Sequence, residues 1–196
     1  MSAATLAPPR KRFTRVEVER MMEAGLLAGP RFEIIEGDLI DKMGQNPPHA
    51  FSISAINAWL TRVFEGRVRI QLPIEVAAPD KATSWPEPDA AVVAAESVSP
   101  FRSRHPRGDE LLLVIEVADS TARHDLTTKR DIYARAGVPE YWVLDLASRK
   151  LIVHRQLLQG QYTEILSLDE SEAASTLVRS TSTSLEPILV RSPFRT

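Results

Sequence analysis

Residues 89–95 and 111–117 are apolar at nearly every position, and each run has the length of a strand. Strands without polar alternation are buried on both faces, so this chain must build a sheet that is covered on two sides. One run opens with Asp89 directly after Pro88; the other carries Glu116 near its end. Alternation along the second run puts Leu112, Val114, Glu116 and Ala118 on a common face. A carboxylate buried there alone would have to keep its proton or find a cation. If the two strands pair antiparallel through the polar loop 96–109, the start of the first lies beside the end of the second, and Asp89 joins Glu116 at one end of the sheet.

The remaining segments supply the cover. Thr14 and Glu17 have capping-box spacing ahead of a short helix that should run to about Gly25. Residues 31–35 and 39–40 read as short strands around Glu36-Gly37-Asp38. After Asn46-Pro47-Pro48, the residues Ile53, Ile56, Trp59, Leu60 and Val63 recur at three- and four-residue steps, which predicts a helix from about His49 to Phe64. Residues 68–72 and 74–77 are strand-like on either side of Pro73, whose missing N–H suits an edge or a bulge. A helix over 126–136 is closed by Gly137 and Pro139, and 141–144 is a further buried strand. Residues 151–155, 162–166 and 185–190 read as peripheral strands, with a mobile connection expected within 169–184. Residues 1–12 are small, proline-containing and basic and read as a loose arm; 13–196 reads as one domain. The expected class is α/β, a mixed sheet flanked by helices with extra peripheral strands.

Composition narrows the chemistry. The chain has no cysteine, which excludes disulfides, cysteine-ligated metals and thiol catalysis. Lys and Arg number 24 against 26 Asp and Glu, a formal net charge of −2, so no global basic field draws the protein to a polyanion. No apolar run approaches the roughly 18–20 residues of a membrane helix, and the first residues lack a signal-peptide core. A soluble, cytoplasmic protein with no membrane partner is expected.

At the helical repeat, Leu126, Lys129, Tyr133 and Ala136 share a face, which sets Lys129 within reach of Glu116. Carboxylates held close favour a divalent cation, and Mg²⁺ (or Mn²⁺) is bound by one or two carboxylates with water and phosphate oxygens completing its shell. Such an ion supplies hydroxide and stabilises phosphoryl charge, while a lysine orients or deprotonates the attacking water. Asp89 and Glu116 as metal ligands, with Lys129 as third catalytic member, make phosphodiester hydrolysis the natural reaction.

These residues, Pro88-Asp89, Glu116-Val117-Ala118 and Lys129, resemble the PD-(D/E)XK nuclease superfamily. More narrowly, the chain resembles the Uma-type endonuclease family over about residues 12–165. That likeness rests on residues 32–40, Pro48-His49, residues 87–93, residues 113–117 with Ser120-Thr121, and Asp125 through Lys129 to Trp142. It implies a restriction-endonuclease-like fold, a divalent-metal-dependent endonuclease, and nucleic acid, DNA foremost, as partner. A homodimer is the expected assembly. Ala118 stands where the superfamily usually has lysine, and the resemblance carries that role to Lys129; Asp38 stands where glutamate is common.

Each residue also has a plainer reading. Asp89 could be a solvated residue at a strand start, and Glu116 could pair with Arg123 or Arg130. Lys129 could simply pair with Asp125 at i,i+4, and Asp125 could cap its helix. Glu33, His49 and Asp125 are candidates for contacts behind the metal ligands, the resemblance suggesting that Glu33 faces the cleft. Arg102, Arg104 and Arg107, with His105, form a basic loop expected to overhang the cleft and touch phosphate. The alternative to an enzyme is a catalytically silent nuclease-fold protein that binds nucleic acid or another protein.

Overall fold

The computed structural model describes residues 10–27, 32–42, 46–169, 174–176 and 188–190. Helix α1 (Arg15–Glu23) begins with the capping box: Thr14 accepts from Glu17 N–H, and the Glu17 carboxylate accepts from Thr14 N–H. The hairpin β1 (Phe32–Ile35) and β2 (Asp38–Asp41) turns through Glu36 and Gly37. Gly37 has φ +82°, and a Cβ there would sit 2.8 Å from Arg12 Cβ, so the turn requires glycine twice over. Lys11 and Arg12, read as part of the arm, are held by Glu17 and by the Glu36 carbonyl; residues 1–9 of that arm lie outside the described residues.

Helix α2 (Pro47–Val63) starts two residues earlier than the apolar spacing suggested. Asn46 caps it by accepting from His49 N–H, and proline is tolerated in a first turn whose N–H groups need no partner. The strands β3 (Val68–Ile70), β4 (Ala90–Val93), β5 (Leu111–Ala118), β6 (Tyr141–Asp145), β7 (Lys150–Leu158) and β8 (Gln161–Asp169) form a six-stranded sheet in chain order. All neighbours are antiparallel except β5 and β6, which are parallel. The crossover between those two is helical, as parallel pairing demands. Residues 74–77 depart from the strand expectation: Ile74 N–H and Glu75 N–H bond to Pro86 O and Pro106 O, loop carbonyls that replace a ladder. A short helix, α3 (Ala78–Lys81), follows.

The sheet is covered on both sides. Leu113, Ile115 and Val117 of β5 pack with Ile53, Ile56, Leu60 and Phe64 of α2, where Trp59 stacks on Trp142. Val114 and Ala118 face the other way, packing with Tyr133, Val138 and Tyr141. The predicted helix over 126–136 is realised as α4 (Ala122–His124), a π-helical turn Asp125–Lys129 and α5 (Arg130–Arg135). The long β7–β8 hairpin extends the main sheet. Near the C-terminus β9 (Ala174–Thr176) pairs with β10 (Ile188–Val190); the rest of the predicted connection and residues 185–187 lie outside the described residues.

Candidate active site

The pairing of β4 with β5 opposes Ala90 to Ile115, and one further step of this register sets Asp89 opposite Glu116. Asp89 Oδ2 accepts the Val117 N–H at 2.8 Å, which ties the carboxylate to the end of β5. His49, one turn into α2, lies on the same edge: its Nε2 is 2.9 Å from Val117 O and 3.7 Å from Asp89 Oδ2. Asp89 Oδ1 is buried and has no hydrogen-bond partner among the described residues; the Lys42 ammonium stands 3.9 Å from it. Lys42 follows β2 directly and donates to Glu87 O.

Lys129, from the π-helical turn, is the centre of the other half of the cleft. Its Nζ lies 2.8 Å from Glu33 Oε1, 2.9 Å from Glu116 Oε1 and 3.7 Å from Asp125 Oδ1. Tyr133 donates to the same Glu116 oxygen at 2.7 Å, so neither contact uses Glu116 Oε2. Glu33 Oε2 accepts from Glu87 N–H, Thr121 Oγ1 donates to Asp125 Oδ2 at 2.6 Å, and Tyr141 Oη donates to Asp125 O. All of the carboxylates and Lys129 are at most 4% exposed.

Burial and charge pull these groups in opposite directions. Burial pushes Glu116 up to about 8, although the cations Lys129 and Lys42 pull the other way, and Asp89 and Asp125 add to the rise. Asp125 is also raised, chiefly by burial. Burial by itself would strip the proton from Lys129, but Glu116, Glu33 and Asp125 outweigh it and keep the ammonium charged.

A divalent cation fits this composition. Four buried carboxylates, Glu33, Asp89, Glu116 and Asp125, face two ammoniums, Lys42 and Lys129, a formal deficit of two charges. The unpartnered Asp89 Oδ1 is an oxygen suited to it. Among the described residues no three His, Asp or Glu converge as a ready ligand set. The chain would thus supply the two carboxylates Asp89 and Glu116, the sparse protein ligation that Mg²⁺ accepts. The cleft around them measures about 210 Å³ and is lined also by Glu33, Lys42, His49, Asp125 and Lys129.

The sequence-predicted residues Asp89, Glu116, Lys129, Glu33, His49 and Asp125 are all brought together here. Glu116 pairs with neither Arg123 nor Arg130, but with Lys129. The basic loop is not brought in. An antiparallel connection leaves from the end of β4 opposite Asp89, so residues 96–109 begin at the far end of the sheet. Arg104 is clamped by Glu110 through two 2.7 Å bonds, which hold that carboxyl down to about 2. Arg107 bonds Asp109 at 3.0 Å, and Arg102 is exposed. Arg104, His105 and Arg107 line a separate groove with Arg15 and Glu75. Sequence reasoning also missed Tyr133 and Lys42 as members of the site. Tyr133 had a signal, since it stands four residues after Lys129 on the same face.

Comparison with known proteins agrees with this architecture. The sequence profile of the Uma2 family, described as "Putative restriction endonuclease", matches residues 17–185. A crystal structure of "a putative nuclease belonging to DUF820" from Anabaena variabilis ATCC 29413 superposes with a TM-score of 0.57. That likeness covers 84% of this chain and 90% of the other at 20% sequence identity, and speaks to the fold. No curated protein matches the chain.

Proposed function

The chain belongs to the Uma2 family, and from that premise we propose that it is a divalent-metal-dependent endonuclease that hydrolyses phosphodiester bonds of DNA. The observation that carries the reading is the buried Asp89 Oδ1, without a hydrogen-bond partner among the described residues, at the sheet end that also presents Glu116. Asp89 and Glu116 would hold Mg²⁺ or Mn²⁺, which when bound supplies Lewis acidity and an activated water. Phosphodiester hydrolysis exchanges one P–O ester bond for a P–OH bond, the proton lost by the attacking water ending, through solvent, on the leaving oxygen. Lys129 stays an ammonium among its carboxylates. It therefore serves as a fixed positive charge and N–H donor toward the phosphoryl oxygens or the water, rather than as a base. Glu33, Asp125 and Tyr133 hold Lys129 and Glu116 in place. A cleft with excess carboxylate repels a polyanion, so substrate approach in this reading depends on the cation.

The test is plasmid nicking in Mg²⁺ or Mn²⁺ by the wild type, Asp89→Asn and Glu116→Gln. The wild type should nick only with metal, and either variant should lose about 10²-fold or more in rate. Metal-independent nicking, or full activity in both variants, overturns the assignment. One observation favours a non-catalytic reading: Lys129 is already satisfied by three carboxylates, as in a purely structural ion network, which predicts neither metal binding nor nicking. Metal binding to a wild type that never nicks would select the silent nuclease-fold alternative.

A further inference from the structure

Lys42 is a cleft residue that the reaction above does not use. Its ammonium is 3.9 Å from Asp89 Oδ1, an ion-pair separation too long for a hydrogen bond. Among the described residues that oxygen has no hydrogen-bond donor, although its residue is 3% exposed. The two ammoniums of the cleft are held very differently. Lys129 is 3% exposed and faces three carboxylates, so it cannot leave without stranding buried charge. Lys42 is 14% exposed, donates to the Glu87 carbonyl, and sits at the end of a flexible four-carbon stem. Of the two, only Lys42 can exchange its place with solvent at modest cost.

We propose that the Lys42 ammonium is a tethered counter-ion of the metal-free cleft, standing in beside Asp89 for the divalent cation and displaced when that cation binds. The inference rests on the metal-dependent reading above and adds to it a residue that sets the metal affinity. An oxygen-ligated Mg²⁺ lies about 2.1 Å from its carboxylate oxygen. An ammonium kept near Asp89 Oδ1 would then face a like charge at close range across a site with little water to screen it. Lys42 must therefore withdraw, and its attraction to Asp89 is subtracted from the cation's binding. The arrangement lets the carboxylates stay gathered without metal, at the expense of affinity for it.

The experiment is Mn²⁺ titration of the full chain by calorimetry, comparing wild type, Lys42→Met, Lys42→Gln and Lys42→Arg, with thermal unfolding of each in chelator. Both neutral variants should bind Mn²⁺ about tenfold or more tightly than the wild type, the scale of ordinary coupling between competing ligands. They should also unfold at a lower temperature than the wild type when metal-free, and Lys42→Arg should stay near the wild type in both measurements. Equal or weaker Mn²⁺ binding by the neutral variants overturns the exchange while leaving the metal site intact. Absence of Mn²⁺ binding by every protein overturns the metal reading itself and the exchange with it. Binding by Lys42→Arg as tight as by Lys42→Met also refutes it, because the charge would then not be the competitor.

Discussion

Glu116→Gln should flatten the pH dependence of stability of the metal-free protein above neutrality. In the folded chain the Glu116 carboxyl is pushed up to about 8 from an ordinary 4.5, chiefly by burial. An acid raised in this way favours folding in its protonated form. Its contribution is therefore complete below pH 4.5 and is lost as pH rises through 8. The lower part of that range is crowded, because His154, buried against Tyr141, is held down to about 4 from 6.5 and loses stability in the opposite direction as pH falls. From pH 6.5 to pH 8 the acid outweighs His154, whose smaller opposite change is common to the wild type and the variant. Across this window the folded state goes from largely protonated at Glu116 to about half protonated while the unfolded carboxyl binds no proton, a loss on the order of 1–2 kcal/mol by linkage. Urea unfolding in chelator at pH 6.5, 7.2 and 8.0 reads this directly from the shift of the midpoint. The wild type should lose most of that amount, and Glu116→Gln, which keeps an acceptor for Lys129 and Tyr133 but cannot ionise, should lose much less. Identical slopes in the two proteins would refute the argument that burial in this cleft holds a proton on Glu116.

Lys129→Met retains the stem but strands Glu33 and Glu116, so it should cost about 3–5 kcal/mol of stability. Single-turnover cleavage, corrected for the folded fraction, should fall about 10²–10⁴-fold, with Lys129→Arg giving no rescue. Equal rates would remove Lys129 from the reaction. The double variant Arg104→Ala/Arg107→Ala should leave the salt slope of polynucleotide binding unchanged, because both guanidiniums are tied to Glu110 and Asp109 away from the cleft. A slope reduced by about one per arginine would return the loop to the interface.

The pairing of the two acids was legible because it needs only strand arithmetic. Two doubly buried runs joined by a loop pair antiparallel, and their ends then bring Asp89 opposite Glu116. The same arithmetic argues against placing Arg102, Arg104 and Arg107 over the acids, since a hairpin connection lies at the other end of the pair. Helix α2 and the capping box of α1 were legible for local reasons, the apolar spacing in one and Thr14 with Glu17 in the other. Lys42 was not legible. Its partner lies 47 positions away by numbering and is reached only because the β1–β2 hairpin folds against the start of β4, which no local pattern specifies. Residues 74–77 misled because an apolar alternation there is satisfied by loop carbonyls instead of a neighbouring strand.

The displaced lysine shows how a local irregularity enters the site. A strict 3.6-residue repeat groups Leu126 with Lys129 and Tyr133, yet Leu126 is only half-buried while Asp125 is 3% exposed. The π-helical turn over Asp125–Lys129 is the cause: its wider winding changes the phase of the residues before it relative to those after. Leu126, three residues before Lys129, is thereby turned part of the way out, while Asp125, four residues before it, stays alongside as its third carboxylate. After the turn the ordinary repeat resumes, and Lys129 and Tyr133, four residues apart, both reach Glu116 Oε1. A lysine on β5 itself would take its position from the strand. On the helix it takes its position from the turn around it, where Asp125, held by Thr121 and Tyr141, stands beside it, while its charge is kept by Glu116 of β5 and Glu33 of β1 together with Asp125.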